Sequence, residues 1–270
     1  MKKPSNQNFS DWLDSLRVQG RSSFSKAEAQ KAYGARLSGL PMVLHRLLKA
    51  KQLAKPKMGF YLILDPPYRA AGCQPPDWFI DALMKHLGLP YYVGGLSAVG
   101  LYGATHHAAQ EFHVVVPGDR KGLRPIRCGR VRIRILLKSS FDKAVTQQAK
   151  SQTGYYQVAS PEMAAWDMVY FMLSLGGPDQ VGLVLRDMAE SLDAGRLIKM
   201  ANDQADEVTT RRLGWLLEKT GSPKLGAALR PKNPAKLPWR PLVPGLSAGE
   251  QGRRNEAWHL VENHELELDE

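Results

Sequence analysis

Cysteine is scarce in this chain: Cys73 and Cys128 are the only two in 270 residues. They lack metal-ligand spacing and cannot form a disulfide framework, so the expected state is two free thiols in a reducing cytoplasm. Long hydrophobic runs are lacking as well. No stretch approaches the roughly 20 apolar residues of a membrane-spanning helix, and Met1 to Ser10 is polar where a secretory signal would be apolar. There is no P-loop and no dinucleotide-binding glycine pattern. Ser97 has no Gly-x-Ser-x-Gly context, and nothing in the sequence pairs it with a base. No internal repeat is visible. These absences argue against a secreted disulfide scaffold, a membrane protein and the commoner nucleotide-binding and hydrolytic enzymes, and the chain reads as a non-enzyme without a cofactor.

Positive charge is present in excess, and it is clustered. The formal charge is +11. Residues 1–65 hold twelve Lys/Arg against four acids, and residues 119–138 hold eight against Asp119 alone, while the rest of the chain is mildly acidic. Two separate basic zones suggest a polyanionic partner, because charge that serves only for solubility is usually interspersed.

The stretch Ser25 to Leu64 organises the first zone. Ser25 and Glu28 have the spacing of a capping box, which starts a helix. Gly34 suits the left-handed end of that helix. A second helix is predicted from about Ser38, with Pro41 in its first turn and Leu40, Val43, Leu44, Leu47 and Leu48 as its buried stripe. Met42, His45, Arg46 and Lys49 fall on the opposite face. Leu53 to Lys55, a turn at Pro56 to Gly59, and Phe60 to Leu64 read as a short hairpin with lysines at its tip. With Phe9 to Val18 as a first helix, the pattern is a winged helix-turn-helix.

Beyond it, Asp65 to Pro76 carries two Pro-Pro pairs and reads as an extended, semi-rigid linker. A larger mixed domain is expected after it. Helices are predicted at Asp77–Leu87, at about Gly94–Tyr102 and, from the cap Ser160-Pro161-Glu162, on to about Leu175. Three more are predicted: one from Pro178 through Met188, one near 194–201 and one near 205–219. Strands are predicted at Phe112–Val116, at Arg130–Leu137 and at Tyr155–Val158. Residues 221–256, rich in Pro, Gly and Lys, read as an extended arm with little structure, with Trp258 to Val261 returning as a last strand.

Three side-chain groups invite functional readings. In Arg130 to Leu137 basic and apolar residues alternate, so Val131, Ile133 and Ile135 are expected inward and Arg130, Arg132 and Arg134 outward, either as a polyanion-binding face or as a solvated one. His106, His107, Glu111 and His113 have metal-ligating side chains, but adjacent histidines do not share a helix face, so core or surface roles are expected and no metal site. Asp167 lies beside an apolar stripe and needs a partner if buried, an arginine or a helix cap being the ordinary one.

Several segments, in order, resemble the AbiEi antitoxins. They are Gly59-Phe60-Tyr61 after the wing turn, Tyr91-Tyr92-Val93-Gly94-Gly95-Leu96-Ser97-Ala98 with Gly103-Ala104-Thr105-His106-His107, and Ser160-Pro161-Glu162 with Trp166-Asp167-Met168-Val169-Tyr170. Gly176-Gly177, Val181, Val184-Leu185 and a closing Trp258, Asn263 and Leu266-Glu267 continue the series. Trp166 stands where a smaller residue is expected. The resemblance spans nearly the whole chain, and the order of the pieces carries it. It implies the antitoxin of a bacterial type IV toxin–antitoxin or abortive-infection system, which represses its own operon through the winged helix. It also implies that the antitoxin counters a nucleotidyltransferase-like toxin without forming a stable complex.

The reading is therefore a mixed α/β protein with a winged helix-turn-helix over residues 1–65, a linker over 66–76 and an antitoxin domain over 77–270. Each half has its own apolar stripes, so each is expected to fold alone. The expected partner is double-stranded operator DNA, with inverted repeats as the expected form of the operator. Met42, His45 and Arg46 are placed near base edges, and Lys49, Lys55 and Lys57 at phosphates. Arg130, Arg132 and Arg134 form a candidate second contact. The competing readings are a winged-helix regulator with a sensing domain and no toxin partner, and a nucleic-acid enzyme using the histidine cluster.

Overall fold

A computed structural model describes residues 9–33, 39–104, 110–120, 122–246 and 252–268. The amino-terminal part follows the order α1 (Phe9–Val18), β1 (Ser23–Ser25), α2 (Lys26–Tyr33), α3 (Leu40–Lys49), β2 (Leu53–Lys57) and β3 (Phe60–Ile63). This helix and strand order is consistent with a winged helix. The predicted capping box forms: the Ser25 amide donates to Glu28 Oε2 at 2.6 Å, and the Glu28 amide donates to Ser25 Oγ at 3.1 Å. Gly34 and Ser38 lie outside the described residues. The strands form one antiparallel sheet in the order β1-β3-β2.

The hairpin is longer than expected. Pro56 and Lys57 continue β2, and only Met58 and Gly59 make the turn, with Gly59 at φ +77°. Pro56 is tolerated because β2 is the outer strand of its sheet and its register shifts between Ala54 and Lys57.

The two faces of β3 pack in different directions. Tyr61 and Ile63 join Leu53 and the three helices in one core, with Phe9, Leu13, Leu16, Phe24, Leu40, Leu44 and Leu47. Phe60, Leu62 and Leu64 join Ala54 in the core of the rest of the molecule. Successive side chains on a strand point to opposite faces, so one short hairpin closes two cores.

The linker is not simply extended. Pro66–Tyr68 and Pro76–Trp78 form single 3-10 turns. Proline is compatible with the first turn of a helix, since its missing amide hydrogen has no partner there in any case. Between them the chain is packed down. The Arg130 amide donates to Ala71 O at 2.9 Å, and Gln74 Nε2 donates to Ser22 Oγ at 2.8 Å.

The larger part begins with α4 (Ile80–Leu87), β4 (Tyr92–Val93) and α5 (Gly95–Val99). It continues through β5 (Phe112–Pro117), β6 (Ile126–Cys128), β7 (Val131–Lys138), β8 (Thr146–Ser151) and β9 (Gly154–Ala159). Its mixed sheet has the order β6-β7-β5-β4-β9-β8, in which β5–β7 and β4–β9 are parallel pairs. Helices α6 (Pro161–Tyr170), α7 (Gly177–Met188), α8 (Ala194–Gln204) and α9 (Glu207–Lys219) follow. Ser160 caps α6, accepting from the Met163 amide at 3.2 Å. Residues Glu162 to Val169 of α6 are all buried, so this is the central helix rather than a surface one.

The carboxy-terminal arm is more ordered than its composition suggests. It forms α10 (Pro223–Ala228), β10 (Arg240–Pro241), β11 (Arg253–Asn255) and β12 (Leu260–Glu262), with the strand order β10-β12-β11. Leu242, Val243 and Trp258 are buried. Gly214 on α9 gives the Trp258 ring its place: a Cβ there would lie 2.1 Å from Cη2. The prolines and glycines of the arm mark its turns, and its few large apolar residues attach it to the core.

Candidate nucleic-acid interface

Helix α3 is strongly two-sided. Leu40, Leu44 and Leu47 are buried, while Met42, His45, Arg46 and Lys49 are exposed, as their spacing predicts. Met42 is 76% exposed, an unusual position for a large apolar side chain. No side chain caps the helix, whose first turn carries Pro41. On the wing Lys55 is exposed, Lys57 is half-buried and Met58, at the tip, is 87% exposed. On α1, Asp14 binds Arg17 at 2.6 Å, and Arg17 also reaches Asp65 at 3.3 Å.

The scaffold beneath is fixed by polar contacts as well as by the core. Arg21 Nη2 donates to Glu28 Oε1 at 2.5 Å. Partial burial raises the Glu28 carboxyl, but the Ser25 amide and Arg21 outweigh it and hold the group below its ordinary pKa. The Lys26 amide donates to Gly59 O at 2.7 Å, which ties the wing turn to the start of α2.

The second basic zone is arranged differently from the simple alternation expected. Arg130 lies in the β6–β7 turn and is exposed. Arg127 and Arg132 are direct cross-strand partners and both are exposed. Glu111 binds Arg132 at 2.9 Å and lies 3.9 Å from Arg134, whose Nη1 also donates to Ser174 O at 2.9 Å. Leu136 and Lys138 share the strand parity of Arg132 and Arg134, yet both are buried, while Leu137 is 38% exposed. At this end of the strand Lys138 meets α6, its Nζ lying 3.8 Å from Met163 Sδ.

Lys138 is therefore not a surface charge. It is fully buried, and its Nζ lies 2.6 Å from Oδ1 of the equally buried Asp167 on α6. Tyr92 donates to the same Oδ1 at 3.3 Å, and the Tyr170 ring lies 5.5 Å from the ammonium. Burial raises the Asp167 pKa and Lys138 opposes the rise. Burial and the Asp167 charge push the Tyr92 phenol well above its ordinary value. The partner that Asp167 requires is thus a lysine from the sheet, where an arginine or a helix cap was the expectation. A Cβ at Gly94 would lie 2.6 Å from Val115 Cγ2 and 3.1 Å from Asp167 Oδ2, so a residue without a side chain is needed beside the pair.

His106 and His107 lie outside the described residues. Glu111 serves the arginines, and His113 is buried on β5. Burial, reinforced by the Arg134 charge, lowers the His113 pKa to about 4, so its ring is neutral at physiological pH. Among the described residues no group of three or more His, Cys, Asp or Glu could hold a metal ion. Also among them, no helix is long and apolar enough to cross a membrane.

Two features escaped the sequence reading. His86 on α4 reaches the wing turn, a contact between residues 28 apart that no local pattern signals. The arm adds a third basic segment, with Arg240, Arg253 and Arg254 on its small sheet. Its charge was visible, but its placement on a folded sheet was not.

Residues 92–219 match the family model of the AbiEi antitoxin C-terminal domain. The crystal structure of the RV2827C protein from Mycobacterium tuberculosis resembles the chain with a TM-score of 0.64 at 14% identity, covering 93% of this chain and 90% of that one, a likeness of fold. No curated protein matches it. The matched segment runs from Tyr92 on β4 to Lys219 at the end of α9, and so takes in the sheet and the α6 helix with its buried Asp167. By this segment, a little under half of its length, the chain carries a domain similar to the AbiEi antitoxin C-terminal domain.

Proposed function

We propose that this protein is an antitoxin that binds the operator DNA of its own operon through α3 and the β2–β3 wing, represses that operon, and protects the cytoplasm against a nucleotidyltransferase-like toxin. The observation that carries the DNA-binding reading is the two-sidedness of α3: a buried leucine stripe opposite an exposed face of Met42, His45, Arg46 and Lys49, followed in the chain by a hairpin bearing Lys55 and Lys57. An α-helix fits the major groove, where an arginine can bind a guanine through two hydrogen bonds. Lysines act as point charges on phosphates and position the protein without reading sequence.

In this reading Arg46, with Met42 and His45, faces base edges, while Lys49, Lys55 and Lys57 hold the backbone. Arg130 extends the contact from the β6–β7 turn. Arg132 and Arg134 contribute less, because Glu111 already neutralises part of their charge. The antitoxin activity belongs to residues 92–219, and the toxin is countered without a lasting complex.

The test is co-expression of the chain with the product of the adjacent gene, beside a reporter fused to its own promoter. Growth rescue together with repression supports the proposal, with Arg46→Ala expected to lose repression and keep rescue. Repression without rescue would favour a regulator with no toxin partner. Rescue without repression would remove the DNA-binding half.

A further inference from the structure

We propose that His86, which belongs to the larger unit, is the positioning residue that holds the wing in its DNA-binding orientation; this rests on the DNA-binding reading of α3 and the wing. The imidazole Nε2 lies 3.1 Å from the Met58 carbonyl oxygen, so Nε2 carries the proton and donates. The ring also packs at 5.3 Å, tilted by 42°, on Phe60. A Cβ at Gly59 would lie 3.5 Å from its Cε1, so the turn passes directly against it.

These contacts meet at the wing turn. The turn is also held by the Lys26 amide, which donates to Gly59 O at 2.7 Å. Met58 itself is 87% exposed and supplies little packing. Phe60 is the residue that pairs with Lys57 across the hairpin, so fixing Phe60 and the Met58 carbonyl fixes the backbone from which the Lys57 side chain departs. The helix-turn-helix thus holds the wing turn at the Gly59 carbonyl, and α4 of the larger part holds it at the Met58 carbonyl. His86 therefore acts on DNA through Lys57 rather than by touching it. Pre-ordering a loop in its bound conformation reduces the entropy lost on binding.

The experiment compares full-length wild type, His86→Ala, His86→Gln, Lys57→Ala and the His86→Ala/Lys57→Ala double variant. Operator affinity is read by fluorescence anisotropy, and amide hydrogen exchange is followed over the peptide spanning 55–61. Losing one exposed hydrogen bond and a ring contact should weaken binding about three- to tenfold. His86→Gln, which keeps a donor at similar reach, should recover most of that. The double variant should bind no worse than Lys57→Ala alone, because the His86 effect passes through the wing; general destabilisation would instead multiply the two losses. Unchanged affinity in His86→Ala, multiplicative losses or no rescue by glutamine would overturn the inference. If wild type binds no DNA, the DNA-binding reading fails by itself. Hydrogen exchange then decides the bracing: faster exchange at the turn in His86→Ala upholds it, and unchanged exchange rejects it.

Discussion

Lys138 stands among eight basic residues in a short span of sequence, yet it lies in the core, 2.6 Å from Asp167. Nothing in the alternation of β7 separates it from Arg132 and Arg134; its contacts with Asp167 and Met163 on α6 do. Removing one member of such a pair leaves an uncompensated charge without water. Asp167→Asn should therefore cost about 3–5 kcal/mol, and a Lys138→Met/Asp167→Leu double variant considerably less. Urea unfolding of the single and double variants measures this, and additive losses would contradict it. His113 offers a pH test. Above pH ~6.5 its ring is neutral both in the folded and in the unfolded chain. Between that value and about 4 only the unfolded chain takes the proton, because burial and Arg134 oppose protonation in the fold. Stability should therefore fall as pH drops through this window, by on the order of 3 kcal/mol from this residue, and be regained as pH rises. In His113→Gln that part of the pH dependence should vanish; an unchanged profile would show that other groups cause it.

Elements with strong local signals were legible. Helix α1 occupies Phe9–Val18 as its spacing predicts, the Ser25–Glu28 box forms, and Ser160 caps α6. Strands β4 and β6 were missed because they have two and three residues, too few for a period. Strand β8 was missed because Thr146–Ser151 is polar on both faces, as an outer strand of its sheet can be. The arm was misread because the feature that anchors it, Trp258 in the notch at Gly214, joins residues distant in sequence. Gly214→Ala tests that anchor. The added methyl would meet the buried indole at 2.1 Å from Cη2 and 2.5 Å from Cζ3. Overpacking of this kind should cost about 1–3 kcal/mol and loosen the arm. A thermal melt matching wild type, with the Trp258 fluorescence unchanged, would contradict the account.

At the scale of the whole molecule, the candidate DNA-binding residues were legible because exposure on α3 follows from helical spacing, whereas the union of the two halves was not. The hairpin closes both cores: Tyr61 and Ile63 face the three helices, and Phe60, Leu62 and Leu64 face the larger part. A cut at the linker therefore does not separate two finished cores. Residues 1–65 alone should melt well below the full chain and expose apolar surface to a hydrophobic dye, while a fragment as stable as the intact amino-terminal part would show that the second face is dispensable. The most direct test of the central claim, that α3 and the wing bind operator DNA, is a salt titration of binding to the upstream DNA and to a scrambled duplex, for wild type and Arg46→Ala. If about six phosphates are neutralised, log affinity should fall against log salt with a slope of about −5 on operator DNA. Arg46→Ala should retain most of that slope but lose about 1–3 kcal/mol of preference for the operator. A slope near zero, or equal losses by Arg46→Ala on both duplexes, would contradict the claim.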